Sequence, residues 1–206
     1  MNKWKDFFSV KSNLYKFILT IAVLPVTLYF FSRFLLFNEY RPGTALDDPV
    51  FYWFSAVNLN IIIFILIYGS LIAGPVFLLR YPKELIIALQ SYTLLVLFRM
   101  LAMYLVPLEP PAGMIDLHDP LVFVIGTGQP VQKDLFFSGH TATMFLLFLT
   151  AQNKTLKWIF LITAFLVGLF VILQKVHYSI DVFVAPFFSY VSFRIISEIN
   201  ISSKPA

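Results

Sequence analysis

Apolar runs long enough to cross a bilayer alternate with short polar segments along most of the chain. A hydrocarbon core needs roughly 20 residues of helix. Six segments reach or approach that length: 16–37, a stretch within 51–79, 85–108, 138–152, 158–173 and 178–196. They lack the apolar–polar alternation of a membrane barrel strand, and open backbone cannot face lipid. The pattern therefore predicts an all-α integral membrane protein, a six-transmembrane-helix bundle. The first run is too long for a signal peptide, and no small-residue cleavage site follows it. It is expected to remain as a span. No repeat or low-complexity linker interrupts the pattern, so residues 1–206 read as a single polytopic membrane domain.

Composition strengthens this reading. The chain is 59% hydrophobic and only 13% charged, where a soluble domain carries about a quarter charged residues. Its net charge of +4 is scattered between apolar runs, which argues against nucleic acid as a partner. The basic residues report topology instead. Lys3, Lys5, Lys11 and Lys16 precede the first span, Arg80 and Lys83 follow the second, Lys154 and Lys157 follow the fourth, and Arg194 and Lys204 lie near the carboxyl end. Arg41, Lys133 and Lys175 are spread through the other loops and read as solvated charges. Both termini are expected in the cytoplasm, with the first, third and fifth loops outside (across the plasma membrane, if the chain is bacterial). There is no cysteine, which excludes disulfides and thiolate metal sites.

Under this topology the polar residues converge. His140 opens the fourth span from its outer end, His177 and Asp181 open the sixth, and Arg99 lies about two turns inside the third. In "VHYSIDV", His177 and Asp181 are four residues apart and can touch on one helix face. A carboxylate beside imidazole sets its tautomer and supports its positive charge, which suits an oriented nucleophile or base. An ionisable residue leading an apolar run is expensive and functional by default. The bland alternative is an interfacial histidine beside a capping aspartate. In "FFSGHTATM", Ser138 is an N-cap, Gly139 permits close approach, and the first N–H groups of the helix favour an anion. His140, in that first turn, could exchange a proton with whatever the helix end holds. Arg99 could donate to phosphate oxygens or simply snorkel. Tyr104, five residues on, could add a hydroxyl or belong to an interfacial belt. Asp116, His118 and Asp119 read as a solvated loop, with head-group or cation binding as the alternative. Two histidines and a carboxylate can also hold iron, but an anion-ready helix end near cations suits phosphate better, and neither metal nor cofactor is expected.

These motifs resemble the sphingomyelin synthase branch of the type 2 phosphatidic acid phosphatase superfamily. That branch carries a Cys-Gly-Asp-x-x-[Phe/Tyr]-Ser-Gly-His-Thr stretch and a His-Tyr-[Ser/Thr]-x-Asp stretch. Asp134, Ser138, Gly139 and His140 match the first, with Gln132 and Lys133 replacing its Cys and Gly. His177, Tyr178 and Asp181 match the second. "FRMLAMYLVPLEPP" is similar to the branch's Tyr-Arg-x-x-x-Met-Tyr stretch at Arg99, Met103 and Tyr104. The likeness covers roughly residues 90 to 190, within a core of about 85–198. The cationic signatures of the hydrolytic members are absent: Phe34 stands where a Lys would precede Arg41-Pro42, and Val171 where an Arg would precede His177. The resemblance implies catalytic His140, His177 and Asp181, with Arg99, Tyr104, Asp134, Ser138, Gly139 and Tyr178 around the substrate. It implies a lipid phosphotransferase that takes a head group from a phospholipid donor, through a phosphohistidine, to a lipid acceptor of ceramide or diacylglycerol type in the bilayer, at the non-cytoplasmic face. A lipid phosphate phosphatase and a non-catalytic transporter or scaffold are the alternatives.

Overall fold

The computed structural model describes residues 3–117, 119 and 122–202. His118 and Lys204 lie outside the described residues. Seven α-helices follow in order: α1 Lys3–Phe8, α2 Lys11–Glu39, α3 Asn60–Leu78, α4 Pro82–Leu105, α5 Gly139–Thr150, α6 Lys154–Leu173 and α7 Ser179–Ser202. A 3₁₀ turn at Pro49–Trp53 and a π turn at Val122–Thr127 sit in the long loops. The boundaries have local causes. Pro82 occupies the first turn of α4, where its missing N–H costs nothing. Asn153 caps α6, its side chain accepting from the N–H groups of Thr155 and Leu156 at 2.9 and 3.1 Å.

Five helices, α2, α3, α4, α6 and α7, are long and apolar enough to cross a membrane. The expected fourth span is a helix of only 12 residues, α5. At 1.5 Å per residue it covers about 18 Å, well short of a ~30 Å hydrocarbon core. It is nevertheless the central helix, packed by α6, α7, α4 and α3. Met144 and Ala142 on it are fully buried. The second span lies within its expected run, as α3, and begins at the end of the polar "NLN" at 58–60.

One end of the bundle gathers α1 and the last turns of α7. The Trp4 indole N–H donates to the Leu79 carbonyl at 2.7 Å. Lys16 Nζ donates to Asn200 Oδ1 at 3.1 Å, and Asn200 Nδ2 to Gln90 Oε1 at 2.9 Å. Interhelical bonds of this kind are worth about 0.6 kcal/mol each in a membrane bundle. The other end is closed by loops. Thr44 N donates to Pro107 O at 3.0 Å and Glu109 N to Thr44 O at 3.1 Å. A Cβ at Gly43 would stand 2.6 Å from the Leu108 carbonyl carbon, so only glycine permits this approach. Lys133 Nζ donates to Glu109 Oε1 at 2.7 Å and to Arg41 O at 2.8 Å. The Lys133 ammonium, with the Gly43 N–H, holds the Glu109 carboxyl below the ordinary carboxylate range. Lys133 and Arg41 are thus members of a clasp rather than solvated loop charges.

Candidate active site

Arg99 explains where α5 begins. Its Nη2 pairs with Asp134 Oδ1 at 2.5 Å and its Nε donates to the Phe137 carbonyl at 3.2 Å. Its guanidinium also lies 5.3 Å from the centre of the Phe31 ring. A Cβ on Gly139 would stand 2.1 Å from Nη1, so the first residue of α5 rests directly on the guanidinium. Arg99 is six residues before the end of α4, about 9 Å along the helix. The start of α5 is therefore recessed below the end of its neighbour. The recess is roofed by loop residues such as Met114, Phe123 and Gln132 and leaves a cavity of about 60 Å³, partly open to solvent.

Both histidines face this cavity. Their ring centroids are 6.5 Å apart, and the rings are inclined at 65°. His177 Nδ1 lies 3.4 Å from Asp181 Oδ2. His177 is 2% exposed and Asp181 0%. The predicted contact holds, but not as a helix-face pair: α7 starts at Ser179, so His177 stands in the turn before it. The Asp181 carboxylate reaches back, also accepting from Tyr178 N at 3.3 Å. Its Oδ1 is buried with no hydrogen-bond partner among the described residues. A backbone bond joins the two motifs, from Ser138 N to Asp181 O at 3.1 Å. Ser138 also caps α5, its Oγ accepting from Thr141 N at 3.4 Å.

His140 has a carboxylate of its own. Its Nε2 lies 3.3 Å from Asp119 Oδ2, and the Tyr68 hydroxyl of α3 donates to Asp119 Oδ1 at 2.8 Å. Asp119 read as a solvated loop residue in the sequence. No local pattern marks it, because its partner is 21 residues away and the loop between has no periodicity to orient it.

The other expected site residues divide by position. Asp134 lines the cavity and is committed to Arg99. Gly139, Ser138, Arg99, Asp181 and Tyr178 stand behind the wall. Arg99 is a brace for the Phe137–Gly139 turn rather than a donor facing the cavity, and the Ser138 amide is committed to Asp181. The Tyr178 hydroxyl donates to Glu109 O at 3.0 Å and accepts from Leu46 N at 3.1 Å, tying α7 to two loops. Tyr104 is 55% exposed, with the Arg41 guanidinium 4.9 Å from its ring centre. Five residues turn a helix by about 140°, so Tyr104 cannot share a face with Arg99. It lies away from the site.

The electrostatics differ from the sequence expectation of nearby cations. Asp116, Asp119 and Asp134 line the cavity, and no lysine or arginine does so among the described residues. The cations are engaged elsewhere: Lys133 in the clasp, Arg41 on Tyr104, and Lys175 donating to Phe51 O at 3.2 Å. Positive potential at the wall is left to the histidines and the amino end of α5.

Residues 133–198 match the family model described as PAP2 superfamily C-terminal. The matched stretch begins at the clasp and contains Asp134, both histidines and Asp181. Arg99 and Tyr104 precede it. The match supports the PAP2 superfamily and phosphatase- or phosphotransferase-type lipid chemistry. Among curated proteins none matches the chain.

Proposed function

We propose that the protein is a membrane phosphotransferase that moves a phospholipid head group to a lipid hydroxyl of ceramide or diacylglycerol type, in the manner of the sphingomyelin synthase branch. The observation that carries this reading is the facing pair of histidines, 6.5 Å apart, each beside its own carboxylate. His177 gives Nδ1 to Asp181, which leaves Nε2 as the nucleophile. Nε2 bonds to phosphorus as the phosphorus–oxygen bond to diacylglycerol breaks. The leaving oxygen takes a proton from the imidazolium of His140, which Asp119 stabilises. In the second half the acceptor hydroxyl returns a proton to His140, its oxygen bonds to phosphorus, and the nitrogen–phosphorus bond breaks. Arg99 acts by positioning the turn that carries His140, since in-line displacement depends mostly on placement and charge.

The test is purified protein in mixed liposomes, with head-group-labelled phosphatidylcholine, phosphatidylethanolamine or phosphatidylinositol and with ceramide or diacylglycerol. A new labelled lipid is the expected product. The cavity's opening to solvent favours hydrolysis as the second reading. Label released only as a phosphorylated alcohol selects it, and an absence of turnover from every donor leaves a transporter or scaffold.

The histidine-bearing end is assigned to the non-cytoplasmic side, because the opposite end carries Lys3, Lys5, Arg80, Lys83, Lys154 and Lys157. The cysteine-free chain allows a direct check. In intact cells an impermeant thiol reagent is expected to label Gln132→Cys and not Lys204→Cys, and the reverse pattern inverts the topology.

A further inference from the structure

We infer that Asp48, in the loop between α2 and α3, is a positioning residue for the reaction: it takes the first N–H of α7 and so leaves the Asp181 carboxylate to His177. The inference rests on the assignment of His177 as nucleophile above. Asp48 is 8% exposed, and both of its side-chain oxygens accept from backbone. Oδ1 takes Val50 N at 3.1 Å and caps the Pro49–Trp53 turn. Oδ2 takes Ser179 N at 2.6 Å, across 131 residues of chain. An ionised carboxylate is costly to bury, and here it is held at the amino end of a helix, where negative charge is favoured.

The start of α7 explains the need. The first N–H groups of a helix have no intrahelical partner, and the side chain of the preceding residue usually accepts one of them. Before Ser179 stands Tyr178, whose hydroxyl reaches Glu109 O and Leu46 N instead. Asp181, in the third helical position, reaches back to Tyr178 N at 3.3 Å, the return half of a capping box. It uses Oδ2 for that bond, and the same atom lies 3.4 Å from His177 Nδ1. Its Oδ1 is the oxygen without a partner among the described residues. Side chains of the first turn lean toward the amino end of their helix. Without Asp48, the Ser179 N–H becomes a donor that lacks an acceptor, and Asp181 is the carboxylate in the same turn. Turning Asp181 onto that N–H draws Oδ2 away from the imidazole.

The loop holds Asp48 in place by contacts of its own. The Phe51 ring lies 5.9 Å from the Tyr178 ring, and Lys175 Nζ, which donates to Phe51 O, lies 5.4 Å from the Phe51 ring centre. Val57 N donates to Leu173 O at 3.1 Å. These contacts bracket the turn between α6 and α7 that carries His177. That turn includes a left-handed residue other than glycine, Lys175 at φ 57°, a conformation that persists only where the surroundings hold it. The chemistry depends on the result. Imidazole protonated at Nδ1 keeps its lone pair on Nε2, while the other tautomer carries a proton there and cannot attack phosphorus. The Asp181 carboxylate selects the first form, and Asp48 acts through Asp181.

Two readouts test the inference, one of them independent of turnover. The chain has three histidines, so nitrogen-labelled histidine in the full chain, in lipid nanodiscs at alkaline pH, identifies the His177 ring by its absence from His177→Ala. Magnetic resonance is expected to show wild-type His177 protonated at Nδ1. Asp48→Ala is expected to give a mixture of tautomers and to lower head-group transfer by about 10²-fold. Asp48→Asn, whose amide oxygen can still accept from Ser179 N, should restore the Nδ1–H form and most of the rate. Ser179→Pro supplies the sharper arm. Proline suits the first helical position and has no N–H, so Asp48→Ala/Ser179→Pro removes donor and acceptor together and should recover both readouts. If Asp48→Ala alone does not insert, a double variant that inserts with the Nδ1–H form supports the proposal, and one that also fails overturns it. An unchanged His177 tautomer in Asp48→Ala overturns it, as does a double variant no better than Asp48→Ala. The expected tautomer pattern in protein that turns over no donor places the failure in the proposed reaction rather than in the role of Asp48.

Discussion

His177→Ala is expected to lower head-group transfer by at least about 10⁴-fold, the scale seen when a nucleophile or its base is removed from an active site. The protein should still insert and fold. The histidine is 2% exposed and its ring meets one carboxylate, that of Asp181. After truncation that carboxylate keeps its bond from Tyr178 N, so the start of α7 survives. Asp181→Asn separates orientation from nucleophilicity. Its amide oxygen can still accept from Tyr178 N, but the ring loses the charge that supports it. An intermediate loss is expected, with thermal unfolding close to wild type. The measurement is initial rate in mixed liposomes together with the unfolding midpoint. Transfer by His177→Ala at near wild-type rate would remove the phosphohistidine from the mechanism.

Gly139→Ala is expected to lower transfer by about 10²-fold, although it adds a single methyl group. The new Cβ would stand 2.1 Å from Arg99 Nη1 and 2.3 Å from Cζ. The guanidinium must then move, and with it go the bonds to Asp134 and Phe137. His140 is the next residue, and a displacement of about 1 Å costs a catalytic centre around 10²-fold. Arg99→Ala should give a loss of the same order and also destabilise the fold by about 3 kcal/mol, because Asp134 is left without its partner. The double variant decides the cause. If the methyl acts only through the guanidinium, Arg99→Ala/Gly139→Ala should be no slower than Arg99→Ala alone, a non-additive cycle. Fully additive losses would mean that Gly139 serves the site in some other way. Arg99→Lys should not rescue, since an ammonium cannot reproduce the planar fork that reaches Asp134 and Phe137 together.

The absence of cations from the cavity wall changes how such a site handles phosphate. Arg99 braces the turn from behind, Lys133 closes the loop clasp, and Arg41 covers Tyr104. The charge of a transferring phosphoryl group is then met by two histidines and a helix end.

The apolar runs by themselves determined that the chain is a helical membrane bundle, and local chemistry located the start of α5. Ser138 is a cap whose partner lies three residues away. The His177–Asp181 contact was legible for the same reason, since both residues belong to one short segment. The length of α5 was not legible in the same way. Hydropathy extends the run from Ser138 to Gln152, but it cannot say that Arg99, some forty residues earlier, stands under Gly139 and starts the helix in a recess. The pairing of Asp119 with His140 and the reach of Asp48 to Ser179 are likewise tertiary. Each needs a loop to close. Helical period states which residues share a face, while only packing decides which faces meet.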